Sequence, residues 1–287
     1  MSKIKIQRLK DKAKRWIHHS DDPKRVFCLE VDGKKIVITS YIAVNRETEK
    51  RFQNNILMHK ELNKCKISCP LLLASDEFDL VFVTEHKGEE MPTYLEKVSL
   101  KEAKDKVSQA VEIIWKISGI NSKLHPFVMP NRLVRFQKFY EEGRYKDLPI
   151  ETKSLLGRFY DDVREIDQQN RHLKFDYGYG LSAADFIDFL VDEKGTVSII
   201  DFDELIEFYD PYYGIGYFWV SLERAKQSQE LQKHLLKNLD LSHFKAEERF
   251  KWGAIAAMSN QLRISYTNPE VIKKRLKEIY DLWEKLL

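Results

Sequence analysis

The stretch from Asp188 to Asp203 restricts the fold more than any other part of the chain. Phe189, Leu190 and Val191 are strand formers, Asp192 to Gly195 are turn residues, and Val197, Ser198, Ile199 and Ile200 return as a second strand. Acidic residues stand at both outer ends: Asp188 before the first strand, Asp201 and Asp203 after the second. A hairpin folds its ends together, so Asp188 and Asp201 are expected to approach. Two such carboxylates repel unless a cation lies between them. Mg²⁺ carrying a nucleotide polyphosphate is the natural occupant, because it takes one or two carboxylates plus phosphate oxygens. Phe202 is expected to pack beneath and hold Asp201. The plainer alternative makes Asp201 a turn-capping carboxylate.

The N-terminal third reads as a small sheet with one helix. Residues 26–31 and 35–39 flank Asp32-Gly33, a strong hairpin signal. Residues 46–63 carry Phe52, Ile56, Leu57 and Leu62 at helical spacing, and Pro70 ends that unit. Residues 71–74 and 80–84 read as two further strands joined by a turn over 76–79. From Gly88 onward the chain becomes mainly helical: 99–120, 131–143, 151–170 and then 214–287. The expected boundary divides residues 1–88 from 89–287, with the hairpin 188–203 in the second part. Tyr177-Gly178-Tyr179-Gly180 reads as a turn or a reshaped loop. Tyr209, Tyr212 and Tyr213 are read as core packing or, alternatively, as walls of a ligand site.

Bulk composition serves mainly to exclude. Of 287 residues, 43% are hydrophobic and 12% aromatic, enough for a substantial core. A net charge of +3 is too small to point to nucleic acid. The first 25 residues are more basic, read as a helix over residues 1–20 with a solvated face or a peripheral contact to an anionic membrane surface. No apolar run reaches membrane-spanning length and no secretory leader is evident, so a cytoplasmic location is expected. Cys28, Cys65 and Cys69 form no disulfide framework and are read as free buried thiols. His18-His19 beside Asp21-Asp22 is read as a solvated turn rather than a metal site. The sequence contains no G-x-S-x-G, no H-E-x-x-H and no P-loop.

These elements together resemble the protein-kinase-like phosphotransferases, in the branch of the aminoglycoside phosphotransferases and choline kinases. In that branch a catalytic loop H-G-D-x-x-x-x-N-[IF]-L-V leads into a hairpin ending in I-D-[FW]-[ED]. Ile200-Asp201-Phe202-Asp203 and Phe189-Leu190-Val191 resemble the two ends of that hairpin. Asp210-Pro211 resembles the G-D-P element, Leu124-His125-Pro126 the L-H-x segment, and the helical stretch 127–170 the family's insertion. The resemblance implies an α+β, two-lobed protein-kinase-like fold: a small mixed β-sheet N-lobe with one helix and a larger, mainly helical C-lobe. It further implies ATP and Mg²⁺ as cofactors and a small-molecule acceptor as partner. Asp188, Asp201 and Asp203 then become the metal residues. The hinge backbone at Glu85, His86 and Lys87 would meet the nucleotide, with Lys35 on the neighbouring strand.

The departures from the family's pattern fall on catalysis. Ala183 stands where the family's aspartate would, Leu181-Ser182 where its His-Gly would, and Asp188 where its asparagine would. An alanine neither orients a hydroxyl nor accepts its proton. Asp185 is the candidate replacement, or simply a cap. Thr39 or Ser40 occupies the place of the family's phosphate-gripping lysine, and Asn54 or Asn55 that of the glutamate which pairs with it. Two functions follow. One is a kinase that phosphorylates a hydroxyl of an aminoglycoside-, choline- or lipopolysaccharide-sugar-like compound. The other is a pseudokinase that serves a protein partner as scaffold or regulator.

Overall fold

The computed structural model describes residues 24–41, 45–181 and 184–285. The expected basic N-terminal helix, the His18-His19 pair, Ser182 and Ala183 lie outside the described residues. By contacts the chain forms two compact units, one from residues 1–94 with 188–205, the other from 95–187 with 206–287.

In the first unit, β1 (Lys24–Val31) and β2 (Lys34–Tyr41) pair antiparallel around the Asp32-Gly33 turn. Both turn residues have positive φ, 53° and 72°, as a two-residue turn matched to strand twist requires. Helix α1 (Arg46–Lys64) starts at Asn45, whose side chain accepts the Glu47 and Thr48 amides. Thr48 Oγ1 accepts the Asn45 amide in return, completing a capping box. Strands β3 (Leu72–Asp76) and β4 (Val81–Glu85) complete a sheet of order β1-β2-β4-β3, every pairing antiparallel.

Alternation divides the side chains of this sheet between its two faces. Ile36, Ile38, Val81 and Val83 pack on one face with Phe27, Leu29 and Val31. Tyr41, Leu80 and Phe82 pack on the other with Phe52 and Ile56 of α1. The unit also holds β5 (Glu89–Glu90), β8 (Phe189–Val191) and β9 (Val197–Ile199), a second sheet of order β5-β8-β9. The hairpin 188–203, expected with the helical part, groups by contacts with this first unit. Ser68 accepts the Ile199 amide at 3.1 Å, and the Ser68 and Ser198 hydroxyls lie 2.7 Å apart.

A short helix, α2 (Met91–Leu95), follows β5, and the second unit is built on α3 (Leu100–Ser118), α4 (Asn131–Glu141), α5 (Ile150–Asn170), α6 (Pro211–Ser221), α7 (Ser228–Lys237), α8 (Ala246–Ile264) and α9 (Pro269–Lys285). Asp210 caps α6, its carboxylate accepting the Tyr212 amide at 2.9 Å, with Pro211 opening the first turn. Tyr212 and Tyr213 are fully buried, so the core reading of these rings holds.

A three-stranded sheet was not foreseen from the sequence. Strands β6 (Lys123–Pro126), β7 (Lys174–Leu181) and β10 (Leu205–Tyr209) run in the order β10-β7-β6. Gly178 and Gly180, read as turn formers, lie inside β7. A Cβ at Gly178 would overlap the Ser118 carbonyl, and one at Gly180 the Tyr209 ring. These glycines admit close neighbours rather than turn the chain. Of the three thiols, Cys69 is buried as expected, whereas Cys28 and Cys65 are exposed. Among the described residues no helix is long and apolar enough to cross a membrane.

Candidate functional site

The end of the acidic hairpin is bound tightly to α1 and to the β1–β2 hairpin. Phe202 is fully buried and meets the His59 ring edge-on, centroids 5.2 Å apart. Its amide donates to Asn55 Oδ1 at 3.2 Å. Asn55 Nδ2 donates to Asp203 Oδ1 at 2.6 Å, to Tyr41 Oη at 3.2 Å and to the Arg51 carbonyl at 3.0 Å. Asn54 Nδ2 donates to the Asp203 carbonyl at 3.1 Å, and the Tyr41 hydroxyl donates to Asp203 Oδ1 at 2.5 Å. Adjacent asparagines on α1 therefore hold a single residue by its main chain and its side chain. Burial comes first among the causes that push the Tyr41 phenol far above its ordinary pKa, followed by the Asp203 charge. Tyr41 is thus a donor to that carboxylate at any ordinary pH.

A cation completes the cluster. Lys24 Nζ lies 2.8 Å from Asp201 Oδ1 and 3.2 Å from Asp203 Oδ2. Lys24 stands directly across the ladder from Tyr41, so the two side chains share a face. Burial opposes the Lys24 charge, but the fields of Asp201 and Asp203 and their hydrogen bonds outweigh it and raise the pKa above the usual lysine value. Asp201 has φ 65°, a left-handed conformation that aspartate tolerates better than most residues.

The sequence-predicted metal residues differ in how they are engaged. Asp203 is occupied by Tyr41, Asn55 and Lys24. Asp201 is the more open carboxylate, its side chain 42% exposed and, among the described residues, ion-paired only through Oδ1 to Lys24. Asp188 closes the short 3₁₀ turn Phe186–Asp188, and its carbonyl accepts the Ile200 amide at 2.8 Å. Among the described residues no three His, Cys, Asp or Glu side chains converge as a metal-binding group. The donor chemistry fits a magnesium ion that takes Asp201, with or without Asp188, and fills its other positions from phosphate and water. Asp203 does not fit as a direct ligand, because its oxygens already accept from three donors.

The nucleotide residues expected from the sequence lie together at the other end of β2. Lys35 is exposed, six residues and about 20 Å along the strand from Tyr41. Its carbonyl accepts the His86 amide at 3.2 Å, and the Glu85 amide donates to Leu71 at 3.1 Å. Two amides of the hinge are thereby used within the sheet. Lys87 Nζ lies 3.3 Å from Glu85 Oε1. Gly88 has φ 114°, and a Cβ there would overlap the Val191 carbonyl. Thr39, at the place of the family's lysine, is buried.

Asp185 belongs to the second unit. Its carboxylate forms an ion pair with Arg224 and accepts the Ile187 amide at 3.2 Å. The Arg224 guanidinium lies over the Phe186 ring, 5.1 Å from its centre. Ser221 Oγ accepts the Phe186 amide at 3.0 Å, fixing the same turn.

Sequence reasoning missed Lys24, and it put Asn54 or Asn55 at the place of a lost glutamate without foreseeing their bonds to Asp203. The register of the Asp32-Gly33 turn does place Lys24 opposite Tyr41, a signal available from the sequence. The carboxylates that join them lie more than 140 residues further along the chain.

No family model matches the chain, and no curated protein matches its sequence. Solved structures do match by shape. A thermostable mutant of the aminoglycoside phosphotransferase APH(4)-Ia is 12% identical, with 92% of each chain covered and a TM-score of 0.64. The choline kinase LicA from Streptococcus pneumoniae is 13% identical, covering 96% of this chain and 97% of that one, TM-score 0.57. The gentamicin complex of APH(2")-IIa is 13% identical, covering 98% and 96%, TM-score 0.59. The chain therefore has a protein-kinase-like phosphotransferase fold, α+β, with a small antiparallel-sheet lobe and a helical lobe.

Proposed function

We propose that this chain is an ATP- and Mg²⁺-dependent phosphotransferase that phosphorylates a hydroxyl of a small polar acceptor. The acceptor classes it fits are the aminoglycoside-, choline- and lipopolysaccharide-sugar-like compounds. One observation carries the reading: Lys24 brings an ammonium to Asp201 and Asp203, supplying the cation that Thr39 and Ser40 do not. Phosphoryl transfer depends mainly on positioning and charge neutralisation, so a lysine at this place is the feature most needed. Solved structures that match the chain by shape include aminoglycoside phosphotransferase complexes with ADP and hygromycin B and with AMP-PNP and hygromycin B.

In this reading Lys24 moves from the carboxylates to the phosphate oxygens when nucleotide binds. Asp201, with Asp188, holds the metal, whose charge neutralises the phosphates. Asp203 keeps the Asp201 segment in place through Tyr41, Asn54 and Asn55. The backbone of Glu85 to Lys87, with Lys35 beside it, takes the adenine end. Asp185 orients the acceptor hydroxyl and takes its proton as the oxygen bonds to the γ-phosphorus. The bond from that phosphorus to the bridging oxygen breaks at the same time, and ADP leaves. Arg224 must release Asp185 for this step.

That ion pair favours a second reading, since a carboxylate engaged by a guanidinium is not positioned on an acceptor hydroxyl. In the pseudokinase alternative the nucleotide is bound without turnover, and the fold serves a protein partner. Thermal shifts with ATP and Mg²⁺, singly and together, followed by an assay of acceptor-dependent ADP formation and acceptor phosphorylation with a panel of acceptors, separate the two. The phosphotransferase reading requires synergistic stabilisation that Lys24→Met abolishes, and turnover that Asp201→Asn and Asp185→Ala abolish. Stabilisation with no turnover on any acceptor supports the pseudokinase.

A further inference from the structure

The second unit contains a cavity of about 370 Å³ that the phosphotransfer chemistry does not use. Its wall is largely aromatic. The Trp115 ring meets Tyr212 edge-on at 5.0 Å and lies 5.8 Å from His243. Phe175 and Phe244 complete the wall, their centroids 5.8 Å apart. Phe244 and Leu124 line the same cavity and are 59% and 62% exposed, large apolar side chains left in water at its rim. Strand β7 leads away from this wall: Asp176 lines the cavity, whereas Leu181, towards Asp185, lies five residues and about 16 Å further on.

Arg249 is the most deeply buried charged group of this wall, which Ser118, Ser122, Lys174, Asp176 and His243 also line. Its side chain is only 8% exposed. Nε donates to the fully buried Asp210 carboxylate at 2.6 Å, and Nη1 donates to the Phe244 carbonyl at 3.0 Å. The guanidinium lies over both the Tyr212 and the Phe175 rings, 4.7 and 5.3 Å from their centres. Nη2 has no hydrogen-bond partner among the described residues. A guanidinium offers its donors in a fixed fork, so the bonds to Asp210 and Phe244 also fix where the spare donor points.

We propose that this cavity binds a small aromatic carboxylate, with its ring against Trp115 and its carboxylate on Arg249 Nη2. Cavities of this size, mostly apolar with one or two placed polar groups, are the usual form of a small-molecule site. The ligand's charge follows from the neighbours. Asp210 already neutralises Arg249, and Lys174 and Asp176 both line the wall, so the lining carries little net charge and suits a single carboxylate better than a phosphate dianion. A single carboxylate on a flat ring satisfies both the donor and the aromatic wall.

Ligand-observed NMR and calorimetry on the full chain test this with indole-3-acetate, its neutral amide indole-3-acetamide, and inorganic phosphate. The acid binds, the amide binds about tenfold more weakly, and phosphate does not compete. Arg249→Lys, which keeps a cation for Asp210, lowers acid affinity to that of the amide. Trp115→Ala, at a half-buried position, weakens both about tenfold or more. Both indoles bind Lys24→Met and Asp201→Asn protein as they bind the unaltered chain, which separates this site from the nucleotide. Absence of acid binding, equal affinity for acid and amide in the unaltered chain, or competition by phosphate overturns the proposal. If Arg249→Lys does not fold, the acid–amide difference and Trp115→Ala decide the matter.

Discussion

Replacing Asn55 with leucine removes the group that ties the acidic hairpin to α1. Asn55 is 2% exposed, so water cannot replace what is lost. The Phe202 amide loses its acceptor, a cost of about 1–3 kcal/mol for a buried unsatisfied donor. Asp203 loses a 2.6 Å charge-assisted bond, about 1.5–3 kcal/mol. The added apolar burial of leucine offsets about 1 kcal/mol. A net loss of about 3 kcal/mol is expected, concentrated in the first unit. Hydrogen exchange by mass spectrometry reads this locally: amide protection in α1 and in 197–203 falls about 100-fold, while α8 is unchanged. A double-mutant cycle of Asn55→Ala with Asp203→Ala isolates the pair, with a coupling energy of about 1.5–3 kcal/mol. Loss of protection below about threefold, or equal loss in α8, refutes the reasoning.

Further outcomes follow from neighbouring features. Lys24→Met leaves Asp203, with 12% of its side chain exposed, without its cation and costs about 2 kcal/mol in urea unfolding; Asp201→Asn in the same chain recovers part of that loss. Burial lowers the His59 pKa to about 4 despite its hydrogen bond to the Pro70 carbonyl. An unfolded histidine near 6.5 therefore takes up its proton first, so stability is full above about pH 6.5 and falls by about 3 kcal/mol as pH drops through 4. His59→Gln flattens that slope, as pH-dependent urea unfolding will show. Gly88→Ala combines φ 114° with an overlap on Val191, and is expected to cost about 3 kcal/mol or more and to open the β5–β8 pairing by hydrogen exchange.

What could be read from the sequence divides by distance along the chain. Turn chemistry at Asp32-Gly33 and at Asp192 to Gly195 is local, and both hairpins formed as expected. The periodicity of Phe52, Ile56 and Leu62 likewise gave α1 to within a residue at its end. Strand β7 was not readable, because its glycines answer to Ser118 and Tyr209, neighbours fixed only by tertiary packing. Lys35 drew attention because it sits near the family's lysine position, yet an offset along a strand moves a side chain to a different place on the sheet. Lys24 carries no motif. Its importance appears only when residues 177 positions apart are joined.

The return of residues 188–205 to the first unit has a consequence during synthesis. A ribosome releases the chain from its N-terminus, and domains ordinarily condense as they emerge. Here α1 and the first sheet come out with Asn54, Asn55, Tyr41 and Lys24 still lacking their carboxylate partner, which follows 148 or more residues later. Most of the helices between must be made first. Nascent chains stalled before residue 188 should hold the first unit loosely and protease-sensitive, and those stalled well past 205 should hold it closed.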